Sequence, residues 1–396
     1  MAKSLSSLWL KNLSRVGKAQ RAQGRKLFKS LLPKAARAIP VRRAKLVKVP
    51  KPKAAKVRRT LSAEPVRPAT GLPGVWKKSY FSIPEAGRLA PTRRMSYWLY
   101  LPAGAAQTTQ PLVVMLHGCQ QTAPDFAAAT RMNQLAERKG FAVLYPQQSA
   151  AADSHGCWHW YKRATQQGLG DVRLIAEMIA YVQRKHGFDE SRTYVAGLSA
   201  GAALATIVAV RYPEMIAAVG LHSAPVFGTT DSPMSAYRAM QHGAILAHSE
   251  TAHALVKAQP QFPGMPVILI HGERDPVVRR INVAQLSEQF RIINESVITR
   301  PEAVIRSYPG RLGGRSPRHT YQTATYYAGR KPQLVKCEIG ALGHAWSGGD
   351  ASVAFSAPEG PDSTLMMWTF FAHHKRASKS PSPDRLTRSV LAGVET

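Results

Sequence analysis

Seven short apolar segments recur along the chain from residue 93 onward. They are "RRMSYWLYLP" (Arg93–Pro102), "PLVVMLHG" (Pro111–Gly118), "FAVLYPQQ" (Phe141–Gln148), "RTYVAGLS" (Arg192–Ser199), "IAAVGLHS" (Ile216–Ser223), "PVILIHG" (Pro266–Gly272) and "PQLVKCEI" (Pro332–Ile339). Most lack polar alternation, which predicts strands buried on both faces. Between them lie segments with helical spacing. "APDFAAATRMNQLAERKG" (Ala123–Gly140) ends in a glycine cap, and "DVRLIAEMIAYVQRKHG" opens on Asp171 as N-cap and closes on Gly187. Strand and helix alternate, so the pattern predicts an α/β fold with a mainly parallel central sheet flanked by helices.

One strand-to-helix junction carries chemistry. Gly197-Leu198-Ser199-Ala200-Gly201 is the single G-x-S-x-G in the chain, set between an apolar strand and an Ala-rich helix. A turn this sharp strains the serine backbone and aims its hydroxyl out of the sheet edge, and its neighbours must be small. The helix N-terminus behind it favours developing negative charge. A serine hydroxyl needs a base, and the base needs an acid to orient it. Asp275 in "HGERDPVV" and His344 in "GALGHAWSGG" each follow an apolar run, on loops at the C-terminal ends of strands. The order Ser199, Asp275, His344 is that of the α/β-hydrolase fold. Glu273 and Asp350 stand as alternative acids. His117 and His271 each precede a glycine at a strand end and read as structural. Oxyanion donors are expected from the backbone N–H groups of Ala200 and Cys119.

Taken together, "LHGCQQTAPDF", "GCWHWY", "GLSAG", "HGERDPVV" and "ALGHAWSGG" resemble the catalytic domain of poly(3-hydroxybutyrate) depolymerase family esterases, over roughly Lys78 to His374. The feruloyl and acetylxylan esterases are relatives within that family. The resemblance implies a serine esterase acting through an acyl-enzyme on polyhydroxybutyrate or its oligomers. It implies nucleophile Ser199, acid Asp275, base His344 and an oxyanion amide at Cys119. It also implies that Cys119 lies near Cys157, since such cysteines pair in secreted members. Trp158, Trp160 and Trp346 either line an apolar cleft for the polymer or pack into the core. No metal or cofactor is expected.

Charge adds a second element. Residues 1–60 hold 19 Lys and Arg and no acid, within a net charge of +31 for 396 residues. This predicts a disordered basic arm and Pro/Lys linker over 1–75, a catalytic domain over 76–375 and a disordered tail over 376–396. Such an arm attracts anionic surfaces or, nonspecifically, nucleic acid. Leu5, Leu8, Trp9 and Leu13 fall on helical spacing and suit a surface-lying helix. Three cysteines, an odd and sparse count, fit a reducing compartment without a disulfide framework. With no secretory signal or transmembrane run evident, the expectation is a cytoplasmic enzyme of the intracellular type, held at polymer granules by its arm. A granule- or nucleic-acid-binding protein with a vestigial site is the alternative of another class, and the intact Ser, Asp and His set argues against it.

Overall fold

The computed structural model describes residues 71–83, 93–104, 109–244, 248–311, 313–314 and 317–376. Of the expected arm over 1–75 and tail over 376–396, residues 1–70 and 377–396 lie outside the described residues. The chain enters β1 at Val75–Ile83 and continues through β2 (Arg93–Leu101), β3 (Leu112–Leu116), α1 (Ala123–Thr130), α2 (Met132–Lys139) and β4 (Ala142–Gln147). A short α3 (Arg163–Gln166) and the long α4 (Asp171–His186) lead to β5 (Thr193–Leu198), α5 (Ala200–Arg211) and β6 (Ala218–His222). Then come α6 (Pro233–His242), α7 (His248–Ala258), β7 (Val267–Gly272), α8 (Ile281–Ile293), β8 (Val304–Tyr308), β9 (Tyr321–Ala328) and β10 (Lys331–Ile339). A minor pair, β11 (Trp346–Ser347) and β12 (Ser356–Ala357), precedes α9 (Ser363–Phe371).

Ten strands form one sheet in the order β1-β2-β4-β3-β5-β6-β7-β10-β9-β8. The centre from β4 to β10 is parallel, and β1, β2, β8 and β9 are attached antiparallel at the two ends. The expected sheet is thus present as the middle of a mixed one. Its central strands β3, β5, β6 and β7 are buried at every residue, as continuous apolar runs require. Successive side chains of β3 enter different cores. Val114 and Leu116 join α4, α5, α7 and α8 on one face; Val113 and Met115 join α1, α2 and α9 on the other. This is the α/β-hydrolase layer arrangement. No helix among the described residues is long and apolar enough to cross a membrane.

β1, β8 and β9 were not foreseen. They lie at sheet ends, mix Lys, Arg, Ser, Thr and Tyr with apolar residues, and stay partly exposed. The helix expected over 123–140 is two helices, broken at Arg131 with φ 55°. Thr130 Oγ1 donates to Phe126 O at 2.8 Å and accepts from Met132 N at 3.4 Å, so the hydroxyl competes with the backbone ladder there. Asp171 does not cap α4; Gly170 holds the N-cap position, and Gly187 closes the helix as expected. The Asp171 carboxylate turns instead to Arg93 Nη2 at 2.8 Å and Gln148 Nε2 at 2.9 Å, tying the helix start to β2 and the loop after β4.

Helix α5 approaches the sheet closely because two glycines allow it. A Cβ on Gly201 would lie 2.1 Å from Leu116 O, and one on Gly197 would lie 2.4 Å from the Gly201 carbonyl carbon. A Cβ on Gly220 would meet side chains instead of backbone, the Met367 thioether at 2.7 Å and the Phe371 ring at 3.0 Å, and side chains give way more readily. Gly201→Ala is therefore expected to cost more than about 3 kcal/mol or to prevent folding, and Gly220→Ala on the order of 1 kcal/mol. Urea unfolding of both variants checks this; equal losses would refute the backbone-contact account.

Candidate active site

The turn after β5 has the expected strain. Ser199 sits at φ 57°, ψ −119°, a region that costs a side-chain-bearing residue on the order of 1–3 kcal/mol. Its amide donates to His222 O at 2.9 Å, which fixes the turn to the end of β6. Ser199 is 8% exposed. Ala200 is the first residue of α5, where a backbone N–H has no acceptor within the helix.

Asp275 and His344 meet directly. His344 Nδ1 and Asp275 Oδ2 are 2.7 Å apart, and both side chains are almost wholly buried. With a carboxylate as partner, Nδ1 is the donor. The other oxygen, Oδ1, accepts from the amides of Val277 and Val278, each at 2.9 Å. Burial alone pushes the Asp275 carboxyl up. The adjacent His344, then His271 and the Val278 amide outweigh it and hold the carboxyl down at about 2. Two loops are stitched together to make this pair. Glu273 N donates to Ile339 O at 2.9 Å and Arg274 N to Leu342 O at 3.0 Å. A Cβ on Gly272 would lie 2.4 Å from Leu342 O, so only glycine lets the loops close.

The alternative acids face elsewhere. Glu273 lies 3.7 Å from Arg280, and Asp350 accepts from Ser352 with Arg131 at 3.8 Å. His271 hydrogen-bonds Val278 O through Nε2 at 2.9 Å, and burial lowers its proton affinity. His117 likewise serves the loop after β3. His222 was missed as a site residue; in the sequence it is one more strand-end histidine. Its ring stacks on Trp346 at 5.2 Å and its Nε2 accepts from Ser347 N at 3.3 Å. It thereby joins the Ser199 turn to the loop that carries His344. Burial, then the nearby His271 and His344, push its proton affinity down to about 3, so it stays neutral.

Gly118 lies against the serine turn, since a Cβ placed there would be 3.7 Å from Ser199 Cβ. Cys119 follows and is bonded to Cys157 in a disulfide, with Cys337 the one free, buried thiol among the described residues. The pairing implied by the family resemblance is therefore present, and the expectation of no disulfide drawn from the cysteine count is corrected. The three tryptophans do not line a cleft. Trp158, Trp160 and Trp346 are 0%, 3% and 0% exposed. The Trp158 indole donates to His117 O at 2.9 Å, and the Trp346 indole donates to Thr364 Oγ1 at 3.0 Å. A buried indole N–H usually finds a partner, and those of Trp158 and Trp346 do so inside the fold.

Residues 95–303 match the family model described as "Esterase PHB depolymerase", and the chain belongs to this family. The matched span holds Cys119, Ser199 and Asp275; His344 lies beyond it. The chain is 32% identical over 194 residues to poly(3-hydroxyalkanoate) depolymerase C of Paucimonas lemoignei, across 48% of this chain and 46% of that protein. It is 34% identical over 128 residues to acetylxylan esterase A of Aspergillus awamori, across 32% of this chain and 41% of the relative. The chain thus spans about half the length of these curated relatives, or less. Among solved structures, the acetyl xylan esterase from Aspergillus awamori aligns with a TM-score of 0.56 at 21% identity, covering 74% of this chain and 99% of that one. That likeness shows a shared fold.

Because Asp275 is more acidic folded than unfolded, its contribution to stability is full above about pH 4 and is lost as pH falls through about 2. Asp275→Asn should cost on the order of 2 kcal/mol at neutral pH, with the gap to wild type closing over that acid range. Urea titrations at neutral and acid pH measure it; a gap independent of pH would show that the charge is not what matters.

Proposed function

We propose that the protein is a serine carboxylic ester hydrolase acting on poly(3-hydroxybutyrate) or its oligomers. The observation that carries this reading is Ser199, held in a strained turn at the same sheet edge as the buried Asp275–His344 pair. Ser199 Oγ attacks the ester carbonyl while His344 Nε2 takes its proton. Asp275 holds Nδ1–H and stabilises the imidazolium. The N–H groups of Cys119 and Ala200 receive the oxyanion. Collapse of the tetrahedral intermediate expels the alcohol, which takes the proton from His344. Water, deprotonated by the same histidine, then releases the acid and restores Ser199.

The polyester assignment follows the family and the depolymerase relative. The acetylxylan esterase relative favours a second reading, a sugar-linked ester substrate for the same chemistry. Rates on amorphous polyhydroxybutyrate, hydroxybutyrate oligomers, acetylxylan and feruloyl esters separate the two. The basic arm enters only through its charge: attachment to an anionic granule surface should weaken as salt rises, because exposed charges are screened beyond about 8–10 Å. The Cys119–Cys157 disulfide supports action in an oxidising compartment rather than the cytoplasm. Thiol titration of freshly isolated protein tests this, one reactive cysteine after denaturation against three.

Ser199→Ala should lower turnover of p-nitrophenyl butyrate by about 10⁴–10⁶-fold without unfolding the protein. His344→Ala should do the same, and the double variant should lose little more, because the two act as a unit. Near-normal turnover in Ser199→Ala would end the serine reading.

A further inference from the structure

Three successive peptide groups between His117 and Gln120 are held by bonds that the reaction itself does not use. The first joins His117 to Gly118. Its carbonyl accepts from the Trp158 indole N–H at 2.9 Å, and its N–H donates to Gln121 Oε1 at 2.9 Å. The second joins Gly118 to Cys119. Its carbonyl lies 2.9 Å from His117 Nδ1 and accepts from Gln121 N at 3.3 Å. The third ends at Gln120, whose N–H donates to His155 O at 2.7 Å. Of the N–H groups of Gly118, Cys119 and Gln120, that of Cys119 alone has no acceptor among the described residues.

Peptide planarity turns this into a direction. In a trans peptide the C=O and N–H point opposite ways. The Gly118 carbonyl is drawn inward by two donors, so the Cys119 N–H is driven outward from them. The Ser199 turn is adjacent there, since a Cβ on Gly118 would come within 3.4 Å of Leu198 O and 3.7 Å of Ser199 Cβ. The segment His155–Trp158 supplies three separate ties: the His155 carbonyl, the Cys157 disulfide and the Trp158 indole. Gln120 is kept at φ 63°, a left-handed conformation that a free loop would relax.

The side chains involved are committed to the task. Gly118 N–H is a donor, so the Gln121 atom facing it is the amide oxygen. Gln121 Nε2 is buried with no partner among the described residues, so the side chain is turned to satisfy Gly118 at the expense of its own amide. His117 Nδ1 faces a carbonyl and carries the proton; Nε2 accepts from Gln148 N at 3.2 Å. Burial holds the proton affinity of this ring down at about 4, so the neutral tautomer persists.

Taking the Ser199 esterase reading as its basis, we propose that Trp158, Gln121 and His117 are positioning residues whose hydrogen bonds aim the Cys119 N–H at the acyl oxygen. "GCWHWY" then acts as a clamp on the oxyanion loop, and Trp158 serves the reaction from inside the core.

The test uses the full chain. Trp158→Phe removes the indole donor and keeps an aromatic ring, and Gln121→Met removes the acceptor at similar volume. Each should lower kcat on p-nitrophenyl butyrate about 10–100-fold with KM changed by less than about twofold. Affinity for a trifluoromethyl ketone, whose hemiketal places an oxyanion in the hole, should fall by the same factor. The two bonds hold opposite ends of one peptide, so the double variant should lose less than the product of the single effects. Circular dichroism confirms folding, and Gln121→Met, which leaves the indole packing intact, answers alone if Trp158→Phe does not fold. Normal kcat and inhibitor affinity in a folded variant would overturn the clamp. Ser199→Ala, measured alongside, separates the two failures: if it stays active the serine reading is wrong, and if it is dead while the clamp variants are normal only the clamp is wrong.

Discussion

The contact between the start of α5 and the carbonyl of Leu116 is the constraint on which the site depends. Two backbones meet there with no side chain between them, because Gly201 has none to insert. That approach brings the α5 N-terminus beside the ends of β3 and β5. Ser199 must then turn through a left-handed conformation to pass from strand to helix. The same approach places the loop after β3 against the serine. One close packing thus sets the nucleophile turn, the Ala200 amide and the neighbourhood of Cys119.

Electrostatics around the site follow from burial. His117, His222 and His271 are all buried at strand ends, and desolvation disfavours the charged form of each. Each is bonded to backbone groups through a neutral ring. His344 differs in having a carboxylate at its Nδ1. That carboxylate is held ionised by two amides and by the histidine itself. Four strand-end or loop histidines thereby divide into three that build loops and one equipped to carry a proton. The division rests on the partner atom, since burial is common to all four.

Family membership rests on the central part of the molecule. The central strands and the turn after β5 are shared architecture, and the distant acetyl xylan esterase structure overlays on this fold at 21% identity. The polymer and sugar ester readings both use that architecture. The loops after β3 and β4 lie at the same sheet edge as the Ser199 turn. The segment His155–Trp158, in the loop after β4, is bonded to the loop after β3, and its Trp158 is buried there.

The central sheet and the candidate chemistry were legible before any folding was considered. A strand buried on both faces must be apolar throughout, so β3 to β7 and β10 were legible as runs. Gly197, Ser199 and Gly201 were legible because a sharp turn admits few residue types. Asp275 and His344 were legible because each follows a strand end in the required order. Tertiary structure decided the rest. β1, β8 and β9 have weak patterns, since a strand at a sheet end needs little apolar surface. Asp171 looked like a cap, but Arg93 and Gln148, distant in sequence, claimed its carboxylate. The tryptophans read equally as cleft or core, because whether an indole faces solvent or a buried carbonyl depends on what folds over it. Cysteine number pointed away from the Cys119–Cys157 bond, because pairing depends on distance in space, and 38 residues of separation close to a Cα–Cα distance of 4.3 Å only once β3 and the loop after β4 are packed.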